Sequence, residues 1–350
     1  MRARSTLIFC LTAITAVVAL SGCETLGYYT QAASGQFYIL THRQPVDALL
    51  QDSNTDVALK AKLAVVDDIR QFAREQLQLP VGKDYSTYAD LKRPYVVWNV
   101  FAAPEFSMQP QSWCYPVAGC VSYRGYFSEN AANEFARKTA DAGYDVYVGG
   151  VAAYSTLGWF SDSVLNTVIN REPHQLAALI FHELAHQVVY IPGDTVFNES
   201  FAGTVERVGM QRWLENAVTD EAQRSRVMEQ AAVDIRRQED FVALVSAAVA
   251  DLQVIYDRDI SEADKREAKV QRLQMLRDGY ESLKQNWGGY GGYDNWFSRD
   301  LNNAQLSTVA TYNNLVPQLM EMFEAANGNF EAFYAAAAEF GKQRSAMRND

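Results

Sequence analysis

Leu176-Ala-Ala-Leu-Ile-Phe-His-Glu-Leu-Ala-His-Gln-Val-Val189 is apolar on nearly every face of a helix, the pattern of a core segment. Within it stand three ionisable groups, His182, Glu183 and His186. Burying a polar group unpaired costs roughly 2–7 kcal/mol, and an isolated charge far more, so these side chains need partners. His182 and His186 are four residues apart, which sets their Cβ atoms about 5–6 Å from each other on one face, with both imidazoles in reach of one metal ion. Glu183 projects beside them, placed to act as general base toward a water at that ion. The bland alternative is a pair of satisfied core histidines. Against it, the chain has only four histidines, and two of them fall in this H-E-x-x-H.

Outward from that helix, 350 residues with 48% hydrophobic content supply ample core for one large or two modest domains. A net charge of −11 without clustered Lys or Arg excludes a nucleic-acid surface, which needs cations for phosphate. Met1-Arg-Ala-Arg followed by the apolar run Leu7 to Leu20 is a charged n-region and an h-region too short to span a membrane comfortably, a secretory signal. Leu20-Ser21-Gly22-Cys23 resembles the lipobox of bacterial lipoproteins. That resemblance implies removal of residues 1–22, diacylation of Cys23, and a body tethered by lipid in the bacterial cell envelope. Glu24 follows in place of the Asp linked to inner-membrane retention, which points to the outer membrane, facing the periplasm. An ordinary signal peptide with an incidental cysteine is the other reading. With Cys10 in the signal, Cys114 and Cys120 remain: in an oxidising compartment a disulfide closing a tight loop comes first, and a second metal site, with an incomplete ligand set, comes after it.

In the mature chain, 28–50 is loosely helical and 57–79 more clearly so. Tyr95 to Phe101 is β-branched and aromatic and reads as a strand, Trp113 to Phe127 as a stapled turn with a further strand, Asn130 to Gly143 as a helix, and Tyr144 to Val148 as a strand. Glycines in a strand often mark close approach by another chain or a ligand, so Gly149, Gly150, Val151, Ala152 and Ala153, continuing toward Phe160, are expected to line a cleft; an internal hairpin is the alternative. The metal helix is expected to start near Pro173 and to run until just before Pro192-Gly193. Asp194 or Thr195 then caps a helix bearing Glu199, the candidate third ligand, and Glu206, two turns further along the same face, where it can orient a ligating histidine. The bland reading of Glu199 is a helix N-terminal charge.

Beyond Asp220 the composition turns to long charged helices. Phe241, Leu244, Val245, Ala248, Leu252, Ile255 and Tyr256 form one apolar stripe; Leu273, Leu276, Tyr280 and Leu283 form a narrower one, and the pair reads as an antiparallel hairpin with a solvated Arg/Lys face. Trp287 to Trp296 reads as a flexible aromatic loop, with a helix over Leu301 to Tyr312 and one or two more from Val316 to Met347.

His182-Glu183-x-x-His186 followed by Asn198-Glu199-Ser200-Phe201-Ala202 and Glu206 resembles the gluzincin metallopeptidases, most closely their aminopeptidases, whose second motif has Gly where this chain has Ser200. Together with the lipobox, Trp113–Phe127, Gly149–Phe160 and Asn302–Tyr312, the chain is similar to a bacterial family of zinc aminopeptidase lipoproteins. The resemblance implies a predominantly helical α+β fold: a gluzincin-like metallopeptidase core over 94–215, with a small sheet, and a long helical hairpin inserted over 220–286, all in one unit spanning 23–350. It further implies one Zn²⁺ on His182, His186 and Glu199, peptide as the substrate, and a Tyr or His donor for the oxyanion, for which Tyr312, Tyr154 and Tyr123 are the candidates. Two departures stand out: the loop from His186 to Glu199 has only twelve residues, and no Gly-x-Met-Glu-Asn segment offers the glutamate that binds a free amino terminus. An aminopeptidase is the expected function; an endopeptidase and a non-catalytic envelope scaffold are the alternatives.

Overall fold

The computed structural model describes residues 26–115, 119–153, 159–218, 220–310 and 315–349. In chain order the elements are α1 (26–42), β1 (Gln44–Pro45), α2 (Val46–Gln51), α3 (Val57–Gln76), β2 (Thr87–Ala89), β3 (Val97–Pro104), β4 (Trp113–Tyr115), β5 (Gly119–Val121), β6 (Arg124–Tyr126), α4 (Glu129–Asp141) and β7 (Tyr144–Val151). Then follow β8 (Val164–Leu165), α5 (Pro173–Ala185), α6 (Thr195–Ala217), α7 (Glu221–Tyr256), α8 (Glu262–Asn286), α9 (Asp294–Phe297), α10 (Asn303–Ala310), α11 (Val316–Ala325) and α12 (Phe330–Asn349). The fold is predominantly helical with small sheets, an α+β arrangement.

Helix α5 lies at the centre because its apolar residues leave no polar face: Leu176, Ala177, Ile180, Phe181, Leu184 and Ala185 are all buried. Phe72 of α3 covers one side, with its ring 6.0 Å from Phe181. Helix α6 covers another, and Gly209 is what lets it approach, since a Cβ there would lie 2.8 Å from both Leu77 Cδ1 and Phe181 Cδ2. Beyond α6 lies α12, where Phe333 stacks on Phe201 at 5.7 Å. The sequence predicts that α5 runs almost to Pro192, but it ends at Ala185. Gln187 and Val188 donate to carbonyls three residues back, tightening the end into a turn, and Gly193, at φ +81°, reverses the chain. Asn198 then fastens that turn to α6: its Oδ1 accepts from the Ile191 N–H at 2.7 Å and its Nδ2 donates to the Ile191 carbonyl at 2.9 Å. Asp194 caps α6 by accepting from the Phe197 N–H at 3.1 Å.

Antiparallel strands in the order β6-β3-β7 form the sheet beside this helical core, with β7 at an edge. Side chains alternate as period two requires. Trp98 and Val100 pack toward α4, whereas Phe101 and Ala103 pack toward Ala304 of α10. A disulfide joins Cys114 and Cys120, directly opposite in the β4–β5 ladder. That hairpin leans on the turn between α5 and α6: a Cβ on Gly119 would stand 3.1 Å from the Gly193 nitrogen.

Helices α7 and α8 pair as an antiparallel hairpin with a core of its own, built on Phe241, Val245, Ala248, Leu252, Leu276 and Tyr280. Two expectations change here. Trp287 to Trp296 is a packed segment, with Tyr293 stacked on Phe241 at 4.0 Å and Trp296 edge-on to the same ring at 5.2 Å, because its aromatics close the open end of the hairpin core. Nor are all the hairpin cations solvated: Lys269 is buried and donates to Asp145 Oδ2 of β7 at 2.6 Å and to the Glu105 carbonyl at 2.9 Å. Beside it the fully buried Asn303, at the start of α10, donates through Nδ2 to the carbonyls of Pro104, Glu105 and Ser107. Its Oδ1 accepts from Tyr256 Oη at 2.8 Å, and its N–H donates to Asp145 at 2.8 Å. One asparagine thus ties hairpin, sheet and α10 together.

Candidate metal centre

The ring centroids of His182 and His186 are 4.9 Å apart across one helical turn. Nε2 of His182 is 3.4 Å from Glu199 Oε2, and Nε2 of His186 is 3.9 Å from Glu199 Oε1. These three residues form the group able to hold a metal, with one ligand atom from each, all within 4.8 Å of one another. The separations suit two ligands sharing an ion better than a hydrogen bond: bonds of about 2.0–2.1 Å at tetrahedral angles put ligand atoms ~3.3 Å apart. Glu206 Oε2 lies 2.9 Å from Nδ1 of His182 on the far side of the ring, fixing its tautomer and orientation. Nδ1 of His186 is buried with no hydrogen-bond partner. Such an orphan costs about 1–3 kcal/mol.

Charge at the site runs the same way. Burial alone would lower the His182 imidazole, but the Glu199 and Glu206 carboxylates against its two ring nitrogens outweigh it and carry its pKa well above the usual value. Burial likewise would raise Glu199; the His182 hydrogen bond and the attraction of both imidazoles hold it below the ordinary carboxylate range. Burial, reinforced by His182, drops His186 to about 4, which leaves it neutral and a ligand in waiting at neutral pH. Burial raises Glu183 to about 7, with Glu199, Asp162 and Glu206 pushing the same way against His182. Two imidazoles and a carboxylate within reach of one point are a donor set that fits a dication, with Glu183 beside it.

A cleft of ≈ 1830 Å³, counting space open to solvent, has His182, Glu183, His186 and Glu199 on one wall. The sheet forms the opposite wall through Val97, Asn99 and Phe101 of β3 and Tyr147, Gly149 and Val151 of β7, the residues that share one face. Of the segment expected to line it, Gly149, Gly150, Val151 and Ala153 do so and Ala152 does not; the Ala152 carbonyl accepts from Thr167 Oγ1 at 2.6 Å. Tyr123 faces the centre from the stretch before β6. Burial, with Glu199, Tyr190 and Glu183 nearby, raises its phenol and keeps it a proton donor. Tyr154, Tyr312 and Cys23 lie outside the described residues.

Tyr190 escaped the sequence reading although it follows His186 by four residues, the spacing that relates His186 to His182; it lines the cleft, and burial beside Glu199 raises its phenol. A second cleft, of ≈ 1670 Å³ by the same measure, meets the first at His182, Glu183 and Thr308 and runs out beneath α7. Arg171 and His174 line it, with Tyr290 and Tyr293 from the aromatic segment. No motif marks these residues, which converge only through the docking of α7.

Two imidazoles and a carboxylate that could hold a metal ion thus converge where two clefts meet, with a further carboxylate alongside. The chain belongs to the family described as "Putative aminopeptidase", which matches residues 27–350. That description places it among the peptidases, hydrolases whose substrates are peptides. No curated protein and no solved structure matches the chain.

Proposed function

We propose that this protein is a zinc aminopeptidase with a gluzincin-like catalytic core, tethered through a lipid on Cys23 at the outer membrane and facing the periplasm. The observation that carries the reading is the convergence of His182, His186 and Glu199 with Glu183 beside them, opposite an edge strand. Among the described residues no helix is long and apolar enough to cross a membrane, consistent with attachment from outside residues 26–349. Zinc held by the three ligands would supply the charge that polarises the scissile carbonyl and acidifies the attacking water. Glu183 takes the proton from that water and delivers it to the leaving nitrogen, a shuttle for which a pKa near 7 is suited. The Tyr123 hydroxyl donates to the carbonyl oxygen as negative charge develops there. Tyr123→Phe should lower kcat by about 10²-fold with little change in KM, the effect of losing one oxyanion donor. A KM raised by the same factor with kcat unchanged would assign the residue to substrate binding instead.

One observation favours a second reading, an endopeptidase: among the described residues lining the cleft, the carboxylates are Glu183 and Glu199, both already engaged at the centre. A free amino terminus would then have no dedicated anion. Zinc analysis of the mature protein, with matched free and N-acetylated peptides as substrates, separates the two. An aminopeptidase binds one zinc and cleaves only the free peptides; equal turnover of the acetylated set establishes the endopeptidase, and absence of zinc from active protein overturns both.

A further inference from the structure

The free edge of β7 is nearly closed. Along an antiparallel strand, successive residues turn their N–H and C=O alternately toward the partner strand and away from it. On β7 the outward set is Val146, Val148 and Gly150, with Ala152 just past the strand. The phase follows from the Ala102 carbonyl, opposite Val146, which accepts from the Gln111 N–H on the other side of β3. Asn302 Nδ2 donates to the Val146 carbonyl at 3.0 Å, and Arg299 Nη1 to the Val148 carbonyl at 2.7 Å. Thr167 Oγ1 occupies the Ala152 carbonyl. Among the described residues Gly150 alone of the four keeps its outward carbonyl without a partner; it is exposed and lines the metal-centre cleft.

We infer that the edge of β7 accepts a peptide at a single residue, Gly150, and that Arg299, Asn302 and Thr167 set that limit from its two sides. Resting on the peptidase reading, this makes the substrate class a short peptide or a chain end. A partner strand would need its own N–H groups where the Arg299 and Asn302 donors stand on one side and the Thr167 hydroxyl on the other. Whichever way the peptide runs, pairing stops after one rung. The Arg299 guanidinium is held there by the Tyr147 ring as well, 5.3 Å from its centroid. A Cβ on Gly150 would fall 2.4 Å from the Tyr95 ring, so any side chain there must displace that ring.

The test compares Arg299→Ala and Thr167→Ala with the wild type, using a tripeptide and versions of it extended by four residues at either terminus. Asn302 is left alone because its Oδ1 also caps α10, at 3.0 Å from the Gln305 N–H. Each restored backbone hydrogen bond is worth a few-fold to about ten-fold in affinity. Arg299→Ala should raise kcat/KM for extension at one terminus by that factor relative to the tripeptide, and Thr167→Ala should do so at the opposite terminus. Unchanged ratios in both variants, or gains at the same terminus, overturn the inference. Lowered solubility of Arg299→Ala with an unchanged ratio overturns it too, by showing that the side chain only guards an exposed edge. Should the wild type cleave no peptide, the peptidase reading fails separately. The same ratios are then read as affinities of zinc-loaded Glu183→Gln protein for the same peptides, where no binding, or no terminus-specific gain, also overturns the inference.

Discussion

Glu183→Gln should lower kcat by about 10³-fold while zinc remains bound one to one. The amide keeps the shape of the carboxylate and so the packing of α5, but it cannot accept a proton, and a positioned general base contributes ~10²–10⁴-fold. The pH profile adds a second signature. Burial, ahead of neighbouring carboxylates, raises Glu183 to about 7, and a base must be ionised to act, so kcat/KM falls on the acid side as Glu183 takes up a proton. A dication alongside favours the ionised form, so the acid limb of the zinc-loaded enzyme lies below 7. Residual activity of the variant should lack that limb. Steady-state kinetics across pH decide the matter: activity within ten-fold of wild type would remove Glu183 from the mechanism.

Glu199→Ala should abolish activity and weaken zinc binding by well over a hundred-fold, because it removes a ligand and leaves two imidazoles to hold the ion. Glu206→Gln, which loosens the grip on His182 Nδ1, should cost only about 10–100-fold in affinity. Stability follows the same order. A ligand at 1,000 times its Kd stabilises a fold by about 4 kcal/mol, so a strong chelator should lower the wild-type melting temperature by several degrees. It should barely move that of Glu199→Ala, which has already lost the linkage. Calorimetry with and without chelator measures both, and equal chelator shifts in the two proteins would place the ion elsewhere.

The sequence made the centre readable because its determinants are local. His182 and His186 are related by one helical turn, and Asp194 stands three residues before the N–H it caps. The same holds for Ser261, which accepts from the Asp264 N–H at 3.2 Å to start α8. Glu199 was legible through its motif, although it is brought to the histidines by a twelve-residue turn whose geometry depends on Asn198 clasping Ile191. What escaped were long-range partnerships with no periodic signature. Lys269 looks like any hairpin cation until Asp145 meets it across 124 residues, and Asn303 like any polar helix residue until three carbonyls converge on it. The early end of α5 escaped for a related reason. Val188 and Val189 continue the apolar pattern, and only the return of the chain at Gly193 forces the helix to stop.

Asn303 bears on how the site can move. The second cleft lies between α5–α6 and α7, and a hinged jaw would open it by swinging the hairpin outward. That swing would pull Tyr256 away from the buried Asn303 Oδ1 and separate the buried Lys269 from Asp145 and the Glu105 carbonyl. Each stranded group costs about 1–3 kcal/mol, and breaking a buried ion pair about 3–5 kcal/mol. The passage beneath α7 is therefore a slot whose gauge is set when the chain folds.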